Sequence, residues 1–324
     1  MLRIINLTYR IEGRPLFEQA TANIPTGHKV GLVGRNGTGK STLFRLLTGE
    51  TDVDGGEITM PRNWRIAGVA QEVPGGPTSL LDTVLEADTE RASLIAESET
   101  ATDPHRIAEI ETRLVDIGAH RAPARAAEIL AGLGFDAEAQ LRPCSEFSGG
   151  WRMRVALAAV LFSDPDLLLL DEPTNYLDLE GSLWLEQYLK RFQGTMILIS
   201  HDRDLLNTAV NSILHLEEKK LTYYTGTYDV FERTRSERLA VQDAARTKQD
   251  LQRKHMQAFV DRFRYKASKA RQAQSRLKAI AKLQPIAGMT SERVAPFRLG
   301  EPEELSPPLM ALDHVSVGYD KRTI

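Results

Sequence analysis

The chain has 324 residues, of which 42% are hydrophobic and 26% charged, with a formal net charge of −3 and one cysteine. These values are ordinary for a soluble globular protein, exclude an internal disulfide, and fit the reducing cytoplasm. Since no apolar run approaches the roughly 20 residues of a membrane helix, we expect no contact with a membrane.

Residues 1 to about 225 alternate short apolar runs with helical patterns. The first residues, MLRIINLTYR, predict a strand, and HKVGLVG, RIAGVAQ, DLLLLD, TMILIS and SILHLEE predict buried strands. Continuous apolar runs are typical of strands covered on both faces, as in a mainly parallel sheet. The sequence therefore predicts one α/β domain over 1–225.

Strand signals disappear between about residues 81 and 145. Ile107, Ile110 and Leu114 recur at helical spacing, which predicts a helical subdomain inserted into the α/β domain. From Glu86 to Asp116 there are 9 acidic and 3 basic residues. This charge makes the insertion a poor candidate for contact with nucleic acid.

The segment 226–285 has the composition of a long helix. It has no Gly or Pro between Gly226 and Pro285, and it predicts a basic helical hairpin with a tip near RYKAS, where Ser268 is a candidate N-cap. From Arg233 to Lys282 there are 15 Lys/Arg against 4 Asp/Glu. A solvated coiled coil is the alternative, but such helices usually balance their charges. A loop is predicted over 286–308.

The last sixteen residues repeat the pattern of the first sixteen. At a constant offset of 308, Leu2 corresponds to Met310 and Leu16 to Ile324. Repeats of this kind indicate related structural units. We expect 309–324 to be the first strand of a second, truncated domain of the same type.

The segment GRNGTGKST fits the phosphate-loop pattern G-x-x-x-x-G-K-[ST], between an apolar run and a helical pattern. Its glycines allow backbone N–H groups to surround phosphate oxygens. Lys40 is expected to reach the β- and γ-phosphates of ATP, and the Ser41 hydroxyl to ligate Mg²⁺. The candidate ATP-binding residues are Gly34, Asn36, Gly37, Thr38, Gly39, Lys40, Ser41 and Thr42.

Two acidic residues follow the apolar run LLLL. Adjacent carboxylates at the end of a buried strand are costly unless they are used. We expect Asp171 to hold Mg²⁺ and Glu172 to act as the general base that polarises the attacking water.

The segment FSGGW resembles the signature sequence of ATP-binding cassettes, in which Gln is usual where this chain has Trp151. With the phosphate loop and the acidic pair in the same order, the chain resembles the ATP-binding cassette superfamily, specifically its soluble ABC-F group. The fold implied is an α/β P-loop ABC domain with a helical insertion, followed by a long helical hairpin linker.

The resemblance also implies roles for residues outside the phosphate loop. Ser148, Gly149 and Gly150 would contact the γ-phosphate held by another cassette, although a simple Ser-Gly-Gly turn is the alternative. Gln71 would ligate Mg²⁺ and sense the γ-phosphate, and His201 would be the catalytic switch histidine. Asp178 would lie in a loop at the dimer interface, and it is also a candidate N-cap.

The segment DRFRYKASKARQAQSR resembles the linker that joins the two cassettes of bacterial ABC-F proteins. The resemblance implies a cytoplasmic ATPase and translation factor that binds the ribosome, its rRNA and the P-site tRNA. ATP would lie between two cassettes, so hydrolysis would need a second cassette in cis or a second copy of the chain. The candidate RNA-binding residues are Arg262, Arg264, Lys266, Lys269 and Arg271.

Two functional alternatives share every nucleotide motif: the ATPase subunit of a membrane transporter, and an ABC ATPase bound to DNA or RNA. One departure concerns the adenine, which ABC domains often stack on an aromatic residue after the first strand. The repeat places Ile11 opposite Tyr319, so the first cassette is expected to lack this stack unless Tyr9 replaces it.

Overall fold

The computed structural model describes residues 1–69, 75–263, 270–282, 313–316, 318–319 and 322–323. The chain divides into an N-terminal unit, Met1–Arg238, and a C-terminal unit, Leu239–Ile324. Some sequence predictions lie outside the described residues: Gln71, the hairpin tip with Arg264, Lys266, Ser268 and Lys269, and the loop 286–308.

A six-stranded sheet forms the centre of the N-terminal unit. The described strands of this unit are β1 (Leu2–Ile11), β2 (Arg14–Ile24), β3 (Lys29–Gly34), β4 (Gly55–Thr59), β5 (Ile66–Gly68), β6 (Leu167–Asp171), β7 (Thr195–Ile199), β8 (Ser212–Glu217) and β9 (Lys220–Thr225). The central order is β5-β6-β7-β3-β8-β9, and every neighbouring pair is parallel except β8–β9. The predicted mainly parallel sheet is therefore confirmed.

A second, antiparallel sheet has the order β2-β1-β4. Sequence patterns predict β1 but neither β2 nor β4, because they lack a continuous apolar run. The register of β1 shifts between Ile4 and Leu7, where Asn6 has a φ of +50°. This bulge brings Ile4 and Leu7, three residues apart, into the same core.

The central sheet is covered on both faces. Leu167 and Leu169 of β6 lie in a core shared with β1, β2 and the first helix. Leu168 and Leu170 lie in a second core, made with helices on the opposite face. Burial on both faces explains why these strands are apolar at every position.

The helices of the N-terminal unit are α1 (Lys40–Leu47), α2 (Leu80–Leu85), α3 (Thr89–Thr100), α4 (Pro104–Asp116), α5 (Ala122–Gly132), α6 (Ala137–Gln140), α7 (Gly149–Phe162), α8 (Leu179–Arg191) and α9 (Arg203–Ala209), with 3-10 turns at Ala119–Arg121 and Cys144–Glu146. Helices α2 to α6 occupy the stretch in which strand signals disappear. Ion pairs join α4 to α3, with Arg106 2.7 Å from Glu97 and Arg113 2.6 Å from Glu90.

The remaining helices are α10 (Tyr228–Phe263) and α11 (Ala270–Lys282). The 36 residues of α10 correspond to about 54 Å at the helical rise. In the C-terminal unit the Arg276 guanidinium lies 3.6 Å from the centroid of the Phe259 ring, so α11 contacts the end of α10. Two short strands, β10 (Gly318–Tyr319) and β11 (Arg322–Thr323), pair antiparallel. The predicted fold class, an α/β P-loop domain followed by a helical hairpin, is confirmed.

Candidate nucleotide site

Three parallel strands end at the same edge of the central sheet. β3 lies beside β7, and β7 lies beside β6, with Asp171 opposite Ile199. The phosphate loop, Glu172 and His201 follow these strand ends. Ligands of open α/β sheets bind outside the carboxyl ends of the strands, so this edge is the candidate site.

The phosphate loop turns between β3 and α1 on residues with left-handed backbones. Gly37 has a φ of +75° and Gly39 a φ of +108°, a region that L side chains rarely adopt. A Cβ at Gly39 would also lie 3.3 Å from Cδ1 of Leu16. The Thr38 hydroxyl donates to the Arg35 carbonyl at 2.8 Å and closes the turn.

The helices that follow the phosphate loop and the Ser-Gly-Gly turn both begin without a side-chain cap. Neither α1 nor α7 has one, although Ser148 is of a type that commonly caps. α5, which continues a 3-10 turn, also lacks a cap. Other helices are capped by Ser79, Asp88, Asp103, Asp136, Asp178 and Asp202. The first N–H groups of a helix have no intrahelical acceptor and attract anions, so α1 and α7 can donate to phosphate oxygens.

The Lys40 ammonium is held above the phosphate loop by uncharged acceptors. Its Nζ donates to the carbonyls of Gly34 at 2.9 Å and Arg35 at 3.3 Å, and to Oδ1 of Asn36 at 3.4 Å. In the described part of the chain, no carboxylate forms an ion pair with it. The positive charge of Lys40 is therefore available to a phosphate.

Glu172 has both a strained backbone and a buried oxygen that accepts no hydrogen bond from the described residues. Its φ is +47°, which is uncommon for a residue other than glycine. The backbone is held because its N–H donates to the Ile199 carbonyl at 2.9 Å, and Oε2 accepts from the His201 N–H at 3.2 Å. Oε1 is buried and accepts no hydrogen bond from the described residues, and His201 Nε2 lies 3.5 Å from it. Such strain and unpaired buried oxygens concentrate at functional sites.

A cleft of about 610 Å³ lies at this edge of the sheet. It brings together the predicted Asn36, Gly37, Gly39, Lys40, Ser41, Thr42, Asp171, Glu172 and His201. Gly34 and Thr38 belong to the loop but do not line the cleft. A smaller cavity of about 220 Å³, lined in part by Arg203 and Tyr228, shares Lys40 and His201 with it.

These residues fit a Mg²⁺–nucleotide ligand. Ser41 Oγ and Asp171 Oδ2 are 2.6 Å apart, and hydroxyl and carboxylate oxygens are the donors that Mg²⁺ prefers. Lys40 and the uncapped start of α1 supply positive potential for phosphates. The buried Oε1 of Glu172 can accept a hydrogen bond from a water beside them.

The Ser-Gly-Gly turn and Asp178 do not line this cleft. Asp178 caps α8, because its Oδ1 accepts from the Gly181 N–H at 2.9 Å. Its Oδ2 accepts from Nη1 of Arg154, on α7, at 3.0 Å. The Gly181 N–H and the Arg154 guanidinium hold the pKa of Asp178 below its usual range. These two elements of the N-terminal unit thus lie outside the cleft formed by its own phosphate loop.

Sequence reasoning missed most of one wall of the cleft. Ile11, Glu12, Arg14 and Leu16 line it from the turn between β1 and β2. Ile11 is 41% exposed, whereas Tyr9 packs against the core between the two sheets and does not line the cleft. Of these residues, Ile11 could be singled out from the sequence, because the repeat places it opposite Tyr319. Arg154 was also missed, because its contact with Asp178 joins α7 to the loop after β6 and no motif includes it.

The helical hairpin carries exposed basic side chains. Those on the described residues of the C-terminal unit are Arg246, Lys248, Arg253, Lys254, Arg262, Arg271 and Lys278. Of the candidate RNA-binding residues, Arg262 and Arg271 are therefore exposed. Phe259 lies under Arg276, so its ring is engaged within the hairpin.

Comparison with known families gives two matches. A family profile described as ABC transporter matches residues 17–175, and a second with the same description matches residues 214–298.

Among the helices in the described part of the chain, none combines the length and apolar character that crossing a bilayer requires.

Curated relatives match along the chain. It is 47% identical to "Probable ATP-binding protein YheS" of Escherichia coli K12, over 100% of the chain and 51% of that protein. It is 42% identical to "ABC transporter F family member 3" of Arabidopsis thaliana, over 97% of the chain and 47% of that protein. It is 40% identical to human "ATP-binding cassette sub-family F member 3", over 100% of the chain and 46% of that protein. The chain thus spans about half the length of these relatives.

Solved structures share the fold. A dimeric ATP-binding cassette in a post-hydrolysis state, bound to ADP and Pi, aligns with a TM-score of 0.52 at 21% identity, covering 69% of this chain and 98% of that one. An ATP-binding subunit of an ABC transporter aligns with a TM-score of 0.54 at 18% identity, covering 73% of this chain and 93% of that one.

Proposed function

Because the chain belongs to the ABC-F group of the ATP-binding cassette superfamily, as one cassette followed by an extension, we propose that it binds Mg²⁺ and ATP and hydrolyses ATP to ADP and phosphate. We further propose that it acts on the ribosome in the cytoplasm. The hairpin of α10 and α11 would contact rRNA and the P-site tRNA, and thereby modulate translation.

The observation that carries the ATPase proposal is the convergence of Lys40, Ser41, Asp171 and Glu172 on one cleft. Lys40 binds the β- and γ-phosphates, and Ser41 and Asp171 hold the metal together with Gln71. Glu172 accepts the proton of the attacking water as general base, and His201 contacts the γ-phosphate. When bound, Mg²⁺ neutralises charge on the phosphates.

The proposal includes a site shared by two cassettes. The Ser148–Gly150 turn does not line the cleft of its own cassette, yet it begins the uncapped helix α7. Supplied by a second cassette, this turn would donate to the γ-phosphate held by Lys40.

The short C-terminal hairpin supports the predicted repeat. Tyr319 pairs with Arg322, and at the offset of 308 this pair corresponds to Ile11 and Arg14, which pair in the same way. The neighbouring pairs of the two hairpins correspond as well. We therefore propose that 309–324 begins a second cassette, joined to the first cassette (1–225) by the linker at 226–285 and the loop at 286–308.

The ribosome proposal depends on the charge of the linker and on the ABC-F membership. Exposed Lys and Arg side chains neutralise the phosphates of an RNA backbone. The test is the ATPase rate of the chain alone, with ribosomes, and with ribosome-free RNA or DNA. We expect ribosomes alone to raise the rate. Equal stimulation by free RNA or DNA would favour a nucleic-acid ATPase. If neither ribosomes nor free RNA or DNA stimulate hydrolysis, the result would favour the transporter subunit.

A charge-removal variant tests the RNA contact directly. Replacement of Arg264, Lys266, Lys269 and Arg271 by Ala removes four charges, so ribosome affinity should fall and the slope of log K against log salt should flatten by about 3. The matched control replaces Arg246, Lys248, Arg253 and Lys254 on the body of α10. An unchanged salt slope in the tip variant would contradict the proposed contact.

Two copies of the chain could also form the shared site by two-fold pairing. Hydrolysis should then rise more than linearly with protein concentration and fall on Ser148→Arg. A monomeric chain whose ATP hydrolysis rate per chain does not change with protein concentration would contradict the shared site.

A further inference from the structure

We propose that Arg154 is a positioning residue that holds the Ser-Gly-Gly turn and the Asp178 loop of one cassette in a fixed relation, so that both reach the nucleotide of the opposite cassette together. This inference rests on the shared site proposed above. Arg154 does not line the cleft of its own cassette, so it would act through the groups that it positions.

Arg154 lies on α7, one turn after Gly150, and is only 9% exposed. A buried guanidinium is costly unless its donors are satisfied. Its Nε donates to the Tyr176 carbonyl at 2.7 Å, and its Nη1 donates to the Leu133 carbonyl at 3.1 Å and to Asp178 Oδ2 at 3.0 Å. One side chain on α7 thus binds both the C-terminal end of α5 and the loop after β6.

Gly134 and the Trp151 ring pack closely around the Arg154 guanidinium. Gly134 has a φ of +96°, and a Cβ there would lie 3.0 Å from Nη1 of Arg154, so a larger residue would crowd the guanidinium. The centroid of the Trp151 ring lies 4.3 Å from Cζ of Arg154 and 5.1 Å from the centroid of the Phe135 ring. Trp151, which departs from the usual Gln, therefore covers Arg154 and anchors it on the insertion.

The connection reaches α8 as well. The same Asp178 carboxylate accepts from Arg154 with Oδ2 and caps α8 with Oδ1. A displacement of Asp178 would therefore move both the loop and the guanidinium. This pairing distinguishes a positioning role from simple burial of an arginine in the core.

Mixtures of two variant chains test the proposal. Lys40→Ala removes nucleotide binding but leaves the Ser-Gly-Gly turn, whereas Ser148→Arg keeps nucleotide binding and blocks the turn. A mixture should hydrolyse ATP at sites that combine the two chains. We expect Arg154→Met in the Lys40→Ala chain to lower this rate about 100-fold, because a displacement of the Ser-Gly-Gly turn by about 1 Å would cost about that much. In the Ser148→Arg chain it should change the rate less than twofold.

The decisive readout is the difference between the two placements of Arg154→Met. If Arg154 were merely structural, its replacement would lower the rate equally in either chain. Equal losses in both chains, or no loss in either, would overturn the proposal. Arg154→Lys should give an intermediate rate, because Lys cannot reproduce the forked donors. Arg125→Met is the control: Arg125 also lies over an aromatic ring, that of Phe162, and donates to a carbonyl, and its replacement should show no asymmetry.

An inactive mixture would contradict the shared site itself. In that case hydrogen exchange still tests whether Arg154 positions the Ser-Gly-Gly turn. The Arg152 N–H donates to the Ser148 carbonyl at 2.9 Å in the first turn of α7. We expect Asp178→Asn to speed exchange at this amide several-fold in the otherwise unaltered chain, and to have no further effect when Arg154→Met is present. No change on Asp178→Asn would overturn the positioning role.

Discussion

The Ser41 hydroxyl donates a 2.6 Å hydrogen bond to Oδ2 of Asp171, although 130 residues separate the two in the chain. A hydroxyl bound to a carboxylate at this distance is a strong, charge-assisted hydrogen bond. It joins the start of α1 to the end of β6, so the two proposed metal ligands are already adjacent.

Asp171→Asn should weaken Mg²⁺-dependent ATP binding, because an amide oxygen lacks the charge that attracts the cation. We expect the Mg²⁺ concentration at half-maximal ATP binding to rise about 10- to 100-fold, as for other changes close to a bound metal. A fluorescent ATP analogue titrated at several Mg²⁺ concentrations measures the effect. Asp166→Asn, just before the other end of β6, is the control, and an equal shift there would contradict the assignment.

Glu172→Gln should leave ATP binding intact and lower its hydrolysis, because an amide cannot accept the proton of the attacking water. A general base contributes about 10²- to 10⁴-fold, and a loss of this size is expected in ribosome-stimulated phosphate release. Glu12→Gln removes a carboxylate from the same cleft and should hydrolyse at near the normal rate. Hydrolysis by Glu172→Gln at the unaltered rate would show that another group acts as the base.

Ile11→Tyr should tighten ATP binding, because it places an aromatic ring on the cleft wall where the chain has an aliphatic side chain. Stacking on a base contributes about 1–3 kcal/mol, so we expect affinity to improve at least about fivefold by isothermal titration calorimetry. Tyr9→Phe, a change outside the cleft, should leave affinity unaltered. Equal or weaker binding by a folded Ile11→Tyr variant would place the adenine elsewhere.

His215 should make the stability of the N-terminal unit depend on pH. Burial lowers the pKa of its imidazole, and Arg235 lowers it further against the opposing charge of Glu217. Rings of Tyr224 and Phe231 lie beside it. Because the folded-state pKa lies below the ordinary value of about 6.5, the unfolded chain binds the proton more tightly. The stabilisation is present above pH 6.5 and is lost as pH falls from there to the folded-state pKa.

Urea unfolding followed by tryptophan fluorescence measures this effect, since Trp64, Trp151 and Trp184 all lie in the N-terminal unit. The free energy of unfolding should fall by about 1.4 kcal/mol for each unit by which the pKa is lowered. His215→Gln should flatten the profile below pH 6.5, whereas His120→Gln, at an exposed position, should not. Identical profiles for the unaltered chain and His215→Gln would contradict a lowered pKa.

Local patterns in the sequence predict much of the fold and of the site. The run Leu167–Leu170 predicts a strand covered on both faces, and the spacing of Gly34, Gly39 and Lys40 predicts a phosphate loop. Both depend on neighbouring residues and on backbone preferences, which a short segment carries by itself. The absence of Gly and Pro from 227–284 likewise predicts the long helix α10.

Strand order and long-range contacts are decided only in the tertiary structure. The β1–β2 turn brings Ile11 to the cleft although no nucleotide motif includes it. Arg154 meets Asp178 because α7 and the loop after β6 pack together, a relation that no residue spacing encodes. Ser41 and Asp171 adjoin because β3 and β6 lie on either side of β7 in one parallel sheet. The sequence by itself thus predicted which groups are candidates to contact phosphate and metal, whereas sheet order and packing decided how far apart they lie.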